Sequence, residues 1–144
     1  SDVKIVIAAD HGGFELKGVI IKWLESQGHQ VFDEGCNSTE SVDYPDFAQK
    51  AAVKIVEGDA ELGILVCGTG IGMSIAANRH MAIRAAVCFD ENTAALSKEH
   101  NNANILCLGA RVLSEEKALS MVKVWLETEF AGGRHQQRIN KFSR

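Results

Sequence analysis

The run Leu62-Gly63-Ile64-Leu65-Val66-Cys67 passes without a polar break into Gly68-Thr69-Gly70-Ile71-Gly72-Met73-Ser74. Its first half is nearly continuous in Leu, Ile, Val and Cys, as in a strand covered on both faces. Three glycines then alternate with other residues, which marks a tight turn. The small-residue stretch Ser74–Asn78 follows as a short helix. Strand, turn and helix in that order form the repeating unit of a parallel sheet, whose neighbouring strands need a crossover between them.

The same alternation extends in both directions. Four more apolar runs stand at Val3–Ala9, Gln30–Asp33, Ile83–Cys88 and Asn104–Leu108. Between them lie stretches of helical period. Leu16, Val19, Ile20, Trp23 and Leu24 share one face, with Gly28 as the stop. Phe47, Ala48, Ala51, Ala52, Ile55 and Val56 share another, ending near Gly58. Thr93–His100 and Glu115–Glu127 complete the set, the latter with Ala118, Val122, Trp125 and Leu126 on one face. The pattern predicts an α/β fold: a three-layer α/β/α Rossmann-like domain with a five-stranded parallel sheet, helices on both sides and a C-terminal helical tail. The first and third strands are expected to be neighbours.

Composition limits what such a domain does. The chain has 144 residues, 46% of them hydrophobic and 24% charged, the balance of a globular domain with a full core. Residues 1–144 are expected to form one domain, with 132–144 as its tail. The net charge of −4 gives no reason to expect nucleic acid or a membrane surface as partner, so an anionic ligand needs a local positive cluster. No apolar run approaches the ~18 residues of a membrane span. Ser1-Asp2-Val3-Lys4-Ile5 does not follow the pattern of a secretory signal. Cys36, Cys67, Cys88 and Cys107 show no C-x-x-C spacing, which disfavours a zinc knuckle or a dithiol redox motif. A reducing cytoplasm is the expected setting.

In parallel sheets of this kind ligands sit beyond the carboxyl ends of the strands. The first apolar run ends in Asp10-His11-Gly12-Gly13, the third in Cys67-Gly68-Thr69-Gly70-Ile71-Gly72, the fourth in Asp90-Glu91-Asn92 and the fifth in Gly109-Ala110-Arg111. The Gly68–Gly72 loop suits an oxyanion, because glycine lets backbone N–H groups approach a ligand closely. It is not a dinucleotide fingerprint, since Met73 stands where the third glycine belongs, and no phosphate-binding G-x-x-x-x-G-K-[ST] motif is present. Cys67 precedes this loop and reads either as a small apolar strand residue or as a thiolate base favoured by the helix N-terminus that follows. Thr69 reads either as a helix cap or as a donor to a developing negative oxygen. Asp10 could cap the first helix. His100, near a helix C-terminus, could simply complement the dipole. Arg134 and Arg138 stand four residues apart on one helical face, and with Arg111 they could clamp a phosphate or carboxylate.

Asp10-His11-Gly12-Gly13-Phe14, Asp43-Tyr44-Pro45, Cys67-Gly68-Thr69-Gly70-Ile71-Gly72, His100-Asn101 and Gly132-Gly133-Arg134-His135-Gln136-Gln137-Arg138 together resemble the type-B ribose-5-phosphate isomerases. That family also holds galactose-6-phosphate isomerase subunits and allose-6-phosphate isomerases. The resemblance covers nearly the whole chain. It implies interconversion of ribose 5-phosphate and ribulose 5-phosphate through an enediolate, in the non-oxidative pentose phosphate pathway. It implies Cys67 as the base, Thr69 with the amides of Gly68, Gly70, Ile71 and Gly72 as the anion hole, and His100 as the ring-opening acid assisted by Asp10. His11, Tyr44 and Asn101 become substrate contacts, and Arg111, Arg134 and Arg138 the phosphate clamp. A homodimer, or a dimer of such dimers, carries the family's site at its subunit interface, with the tail contributing to it. Some members use serine at the cysteine position and a glutamate in the loop; Cys67 and Ile71 place this chain with the thiol-dependent branch. No redox cofactor is needed and no metal-ligand spacing is present. Six-carbon phosphate isomerases remain the nearest alternative, followed by a non-catalytic module that binds a phosphorylated ligand, and then by a nucleotide-binding protein.

Overall fold

Alternation along the strands sets the layering. In the first strand, β1 (Lys4–Ala9), Ile5, Ile7 and Ala9 belong to one core cluster and Val6 and Ala8 to another. β3 (Leu62–Cys67) divides likewise, with Ile64 and Val66 on the first side and Leu65 and Cys67 on the second. β5 (Ile105–Gly109) sends Leu106 and Leu108 one way and Ile105 and Cys107 the other. Successive side chains of a strand point to opposite faces, so apolar residues at every position demand helices on both.

The computed structural model, which describes residues 2–143, supplies those helices. α1 (Phe14–Ser26), α4 (Glu91–Glu99) and α5 (Glu115–Glu127) cover the first face, and Trp125 of α5 is completely buried there. α2 (Tyr44–Val56) and α3 (Ile71–Ala77) cover the second through Ala48, Ala51, Ala52, Met73 and Ala77. Burial of each large aliphatic side chain in these layers contributes about 1.5–3 kcal/mol. With β2 (Gln30–Asp33) and β4 (Ala85–Val87) the sheet has the order β2-β1-β3-β5-β4, and every pairing is parallel. The expected adjacency of the first and third strands holds. After α5 come the short helix α6 (Arg134–Ile139) and a 3-10 turn over Asn140–Ser143.

Several boundaries differ from the sequence pattern; α4, for one, starts at Glu91, ahead of Thr93, because Asp90 caps it. α2 starts at Tyr44, ahead of Phe47, because Pro45 falls in its first turn, where a missing N–H leaves no bond unmade. α3 starts at Ile71, ahead of Ser74, because Gly70 turns the chain with φ 82°. β4 keeps only the centre of the run Ile83–Cys88, since it is an edge strand whose one neighbour is β5, and Ile83 N–H turns back to the His80 carbonyl at 3.0 Å.

All five carboxyl ends therefore open on one edge of the sheet. The β1 end reaches the β3 end most closely at Gly13, where a Cβ would stand 2.7 Å from the Val66 carbonyl carbon. Gly18, inside α1, has no atom within 4 Å of the same position. Gly13→Ala is therefore expected to cost about 1–3 kcal/mol by overpacking. Gly18→Ala is expected to be stabilising by up to about 1 kcal/mol. Urea denaturation of both variants checks this pair, and a Gly13→Ala midpoint equal to wild type would refute the close approach.

Candidate active site

Cys67 ends β3 on the α2–α3 side of the sheet and is 5% exposed. Its sulfur accepts the Gly70 N–H at 3.1 Å, so the turn folds back over the thiol. The turn has room to do so because β5 ends in glycine: a Cβ on Gly109 would come 2.7 Å from the Thr69 carbonyl group. Gly70 itself lies 3.0 Å, at its Cβ position, from the Leu108 carbonyl carbon. Thr69 is exposed, and its hydroxyl oxygen accepts the Ile71 N–H at 3.2 Å. That leaves the hydroxyl proton free to donate outward. The first bond within α3 runs from Ser74 N–H to the Gly70 carbonyl (3.1 Å), so the Gly72 and Met73 N–H groups have no acceptor inside the helix.

The neighbouring strand ends close around this turn. Asp10 is buried, and its Oδ1 accepts Gly12 N–H at 2.9 Å and Gly13 N–H at 3.2 Å. It closes the loop after β1 and does not cap α1, whose N-cap is Gly13 without any side-chain cap. His11 Nδ1 accepts the Val42 N–H at 3.1 Å, which fixes the proton of the neutral ring on Nε2 and ties down the segment entering α2. Two residues on, Tyr44 lays its ring over Gly72, where a Cβ would meet ring carbons at 2.6 Å. Arg111 folds back over Gly68, with Nη1 3.2 Å from a Cβ built there. Its own N–H holds the Gly68 carbonyl at 3.0 Å. One edge thus gathers Asp10, His11, Tyr44, Cys67, Gly68, Thr69, Gly70, Ile71, Gly72 and Arg111.

The remaining candidates gather elsewhere. α4 carries the chain from the carboxyl edge back toward the start of β5, and His100 is its C-cap, with Asn101 next. α6 is held beside them: Ala131 N–H donates to the Glu99 carbonyl at 2.9 Å, and His135 stacks on His100 with ring centroids 4.3 Å apart and planes 13° from parallel. Arg134 and Arg138 project from the same short helix and are both exposed. His135 titrates below the ordinary histidine value, first because it is desolvated and then because His100, Arg134 and Arg138 surround it with positive charge. A cleft of about 460 Å³ lined in part by Arg79, Arg84, Asn101 and Phe142 opens on this side. Within one chain the two clusters sit at opposite ends of the sheet, roughly 15 Å apart by the rise of a five-residue strand.

Residues 5–142 match the family model described as Ribose/Galactose Isomerase. The chain belongs to that family. It is 46% identical to ribose-5-phosphate isomerase B of Escherichia coli over 136 residues, covering 94% of this chain and 91% of that protein. It superposes on the ribose 5-phosphate isomerase of Thermotoga maritima with a TM-score of 0.96 at 51% identity, covering 98% of this chain and 97% of that one. The Mycoplasma genitalium ribose-5-phosphate isomerase B, solved with bound ribulose 5-phosphate, has a TM-score of 0.94 at 43% identity, covering 100% of this chain and 95% of that one.

Two residues beside these clusters carry no local signal in the sequence. Gly109 stands in sequence only as the residue that opens Gly109-Ala110-Arg111 after an apolar run, although its missing side chain is what admits the turn at Thr69. His135 sat unassigned in the tail motif, because stacking on a residue 35 positions away leaves no local signal. The role of His11 is testable without substrate. His11→Ala is expected to accelerate hydrogen exchange at the Val42 amide and leave the β1 amides protected. NMR exchange rates measure both; unchanged protection at Val42 would show that the bond does not order the segment.

Proposed function

We propose that this ribose/galactose isomerase interconverts ribose 5-phosphate and ribulose 5-phosphate. The observation that carries the proposal is the Cys67 thiol, seated under the Gly70 N–H at 3.1 Å beside a turn of outward N–H groups. The activities named for the Escherichia coli and Mycoplasma relatives support the same reading. Aldose–ketose isomerisation needs a base at the carbon next to a carbonyl, donors for the enediolate oxygen and a way to open the furanose ring. Cys67 takes the proton from C2 of the open aldose and returns it to C1. Thr69 Oγ1 and the N–H groups at the start of α3 that have no acceptor inside the helix, Gly72 among them, receive the negative oxygen, while the Gly70 N–H stays on the Cys67 sulfur. Asp10 uses Oδ1 for its own loop, which leaves Oδ2 for a sugar hydroxyl. Tyr44 and His11 wall the site, and Arg111 lies over its rim.

The second cluster belongs to the same site when two chains pair. Its acid, His100, its amide, Asn101, and its guanidinium pair, Arg134 and Arg138, are what the first cluster lacks: a ring opener and a phosphate clamp. Exposed apolar side chains support the pairing. Ile71 and Ile75 of α3 are 47% and 63% exposed, Met81 is 75% exposed and Phe142 59%. A homodimer, alone or doubled, covers such a surface and brings each tail to its partner's turn. The four cysteines are all free, which suits a cytoplasmic setting. No helix among the described residues is long and apolar enough to cross a membrane.

Two measurements test this reading. Cys67→Ala is expected to lower kcat about 10²–10⁴-fold with little change in KM, followed as ribulose 5-phosphate formed from ribose 5-phosphate. Near-normal turnover by the variant would remove Cys67 from the chemistry, and preference for a six-carbon phosphate would redirect the substrate. Mixing refolded Cys67→Ala and His100→Ala chains, each inactive alone, is expected to restore about one quarter of wild-type activity, since each mixed pair holds one intact shared site. No recovery on mixing would mean that each chain builds its site alone.

A further inference from the structure

The mechanism leaves one buried charge without a task. Lys98, in the last turn of α4, is only 9% exposed. No carboxylate of the described residues forms an ion pair with it. A buried ammonium without a carboxylate is unusual, because desolvation penalises the charge. Its Nζ donates to the Trp125 carbonyl oxygen at 3.0 Å and lies 4.7 Å from the centre of the Trp125 ring. That carbonyl is in the last turn of α5, where intrahelical donors run out: Thr128 N–H takes the Val124 carbonyl at 3.1 Å. A cation at this place satisfies an orphan carbonyl and complements the helix dipole.

Three consecutive residues at the end of α4 grip three successive points of the following chain. Lys98 holds Trp125, the Glu99 carbonyl holds Ala131 N–H at 2.9 Å, and the His100 ring stacks on His135 at 4.3 Å. Between α5 and α6 the chain is irregular and passes through Gly132 and Gly133, both with positive φ (69° and 56°). Such a connection cannot by itself carry the direction of α5 into α6. The contacts with α4 set the place of the tail.

We propose that Lys98 is a positioning residue: by locking the end of α4 to the end of α5 it fixes His100 and Asn101 relative to Arg134 and Arg138, so that acid and phosphate clamp reach a substrate together. The assignment rests on the proposed isomerase site for its kinetic consequence alone. Its structural consequence, the seating of His135 on His100, stands apart from catalysis.

The test uses the full chain with Lys98→Met, Lys98→Arg and, as a control of the same helix seam, Val122→Ala. Val122 is completely buried in the α5 core and is no part of either cluster. Lys98→Met is expected to raise KM for ribose 5-phosphate by about tenfold, more than it lowers kcat. In NMR titration its His135 is expected to move up toward the ordinary histidine value as the stack loosens. Lys98→Arg, which keeps donor and charge, is expected to restore both. Val122→Ala is expected to lower Tm and leave both readouts at wild-type values. An unmoved His135 in Lys98→Met, or a KM change in Val122→Ala as large as that of Lys98→Met, would overturn the proposal. If Lys98→Met does not fold, Lys98→Gln, a shorter donor without charge, is judged by the same two readouts. A wild-type chain that does not turn over ribose 5-phosphate would sink the ribose 5-phosphate reading, while the His135 titration would still decide the role of Lys98.

Discussion

Where β3 turns into α3, backbone packs directly on the backbone of β5. Thr69 occupies the space that a side chain on Gly109 would need, and Gly70 occupies the space against Leu108 with a φ of 82°. A Cβ on Gly109 would stand 2.7 Å from Thr69 backbone and one on Gly70 3.0 Å from Leu108 backbone, so this corner of the sheet is built from main chain alone. The proposed chemistry depends on it. Only because the turn sits this low does the Gly70 N–H reach the Cys67 sulfur, Thr69 point its hydroxyl outward and Arg111 fold over Gly68.

An acidic molecule meets an anionic substrate here without a basic surface. The net charge is −4, yet the groups proposed to face a phosphate are concentrated at Arg111 and in the tail. The lowered titration of His135 reflects its desolvation first, and then the positive charge of His100, Arg134 and Arg138 beside it. Elsewhere charge is spent on structure. Lys117 sits 2.6 Å from Glu91 where α5 crosses the start of α4, and with the help of Ser120 it holds that carboxyl down to about 2.

Much of this was legible in the sequence. The alternating apolar positions of Val3–Ala9 and Leu62–Cys67 specify a sheet covered on both faces, and the helical faces of α1, α2 and α5 fall close to where their spacing puts them, with one correction: Val56, at the end of α2, is 54% exposed, because the helix stops there. The glycine pattern after Cys67 marked the turn. Strand order past β3 was not legible. Ile83–Cys88 and Asn104–Leu108 are similar apolar runs, and which becomes the edge depends on packing between distant elements, not on local composition. Asp10 was open to a helix-cap reading because a carboxylate before a helix is the usual sign of one; the preference of Gly12 and Gly13 N–H for that carboxylate depends on the close approach of Gly13 to Val66. The separation of the two clusters was legible in part: a tail that follows the last strand cannot obviously reach its own strand ends, whereas nothing local in the sequence places His100 at the far end of the sheet.

The strand order also bears on how the protein is made. β4 pairs with β5 and with no other strand, and β5 is later in the chain. As the polypeptide leaves the ribosome, β2, β1 and β3 can assemble with α1 and α2 from the first half of the sequence alone. The outer edge of β3 and the whole of β4 then wait, with backbone groups unpaired, until Ile105–Gly109 emerges and slides between them. A nascent chain stalled before that point carries an open strand edge of the kind that recruits chaperones or neighbouring chains. The last strand to be synthesised is the one that closes the gap.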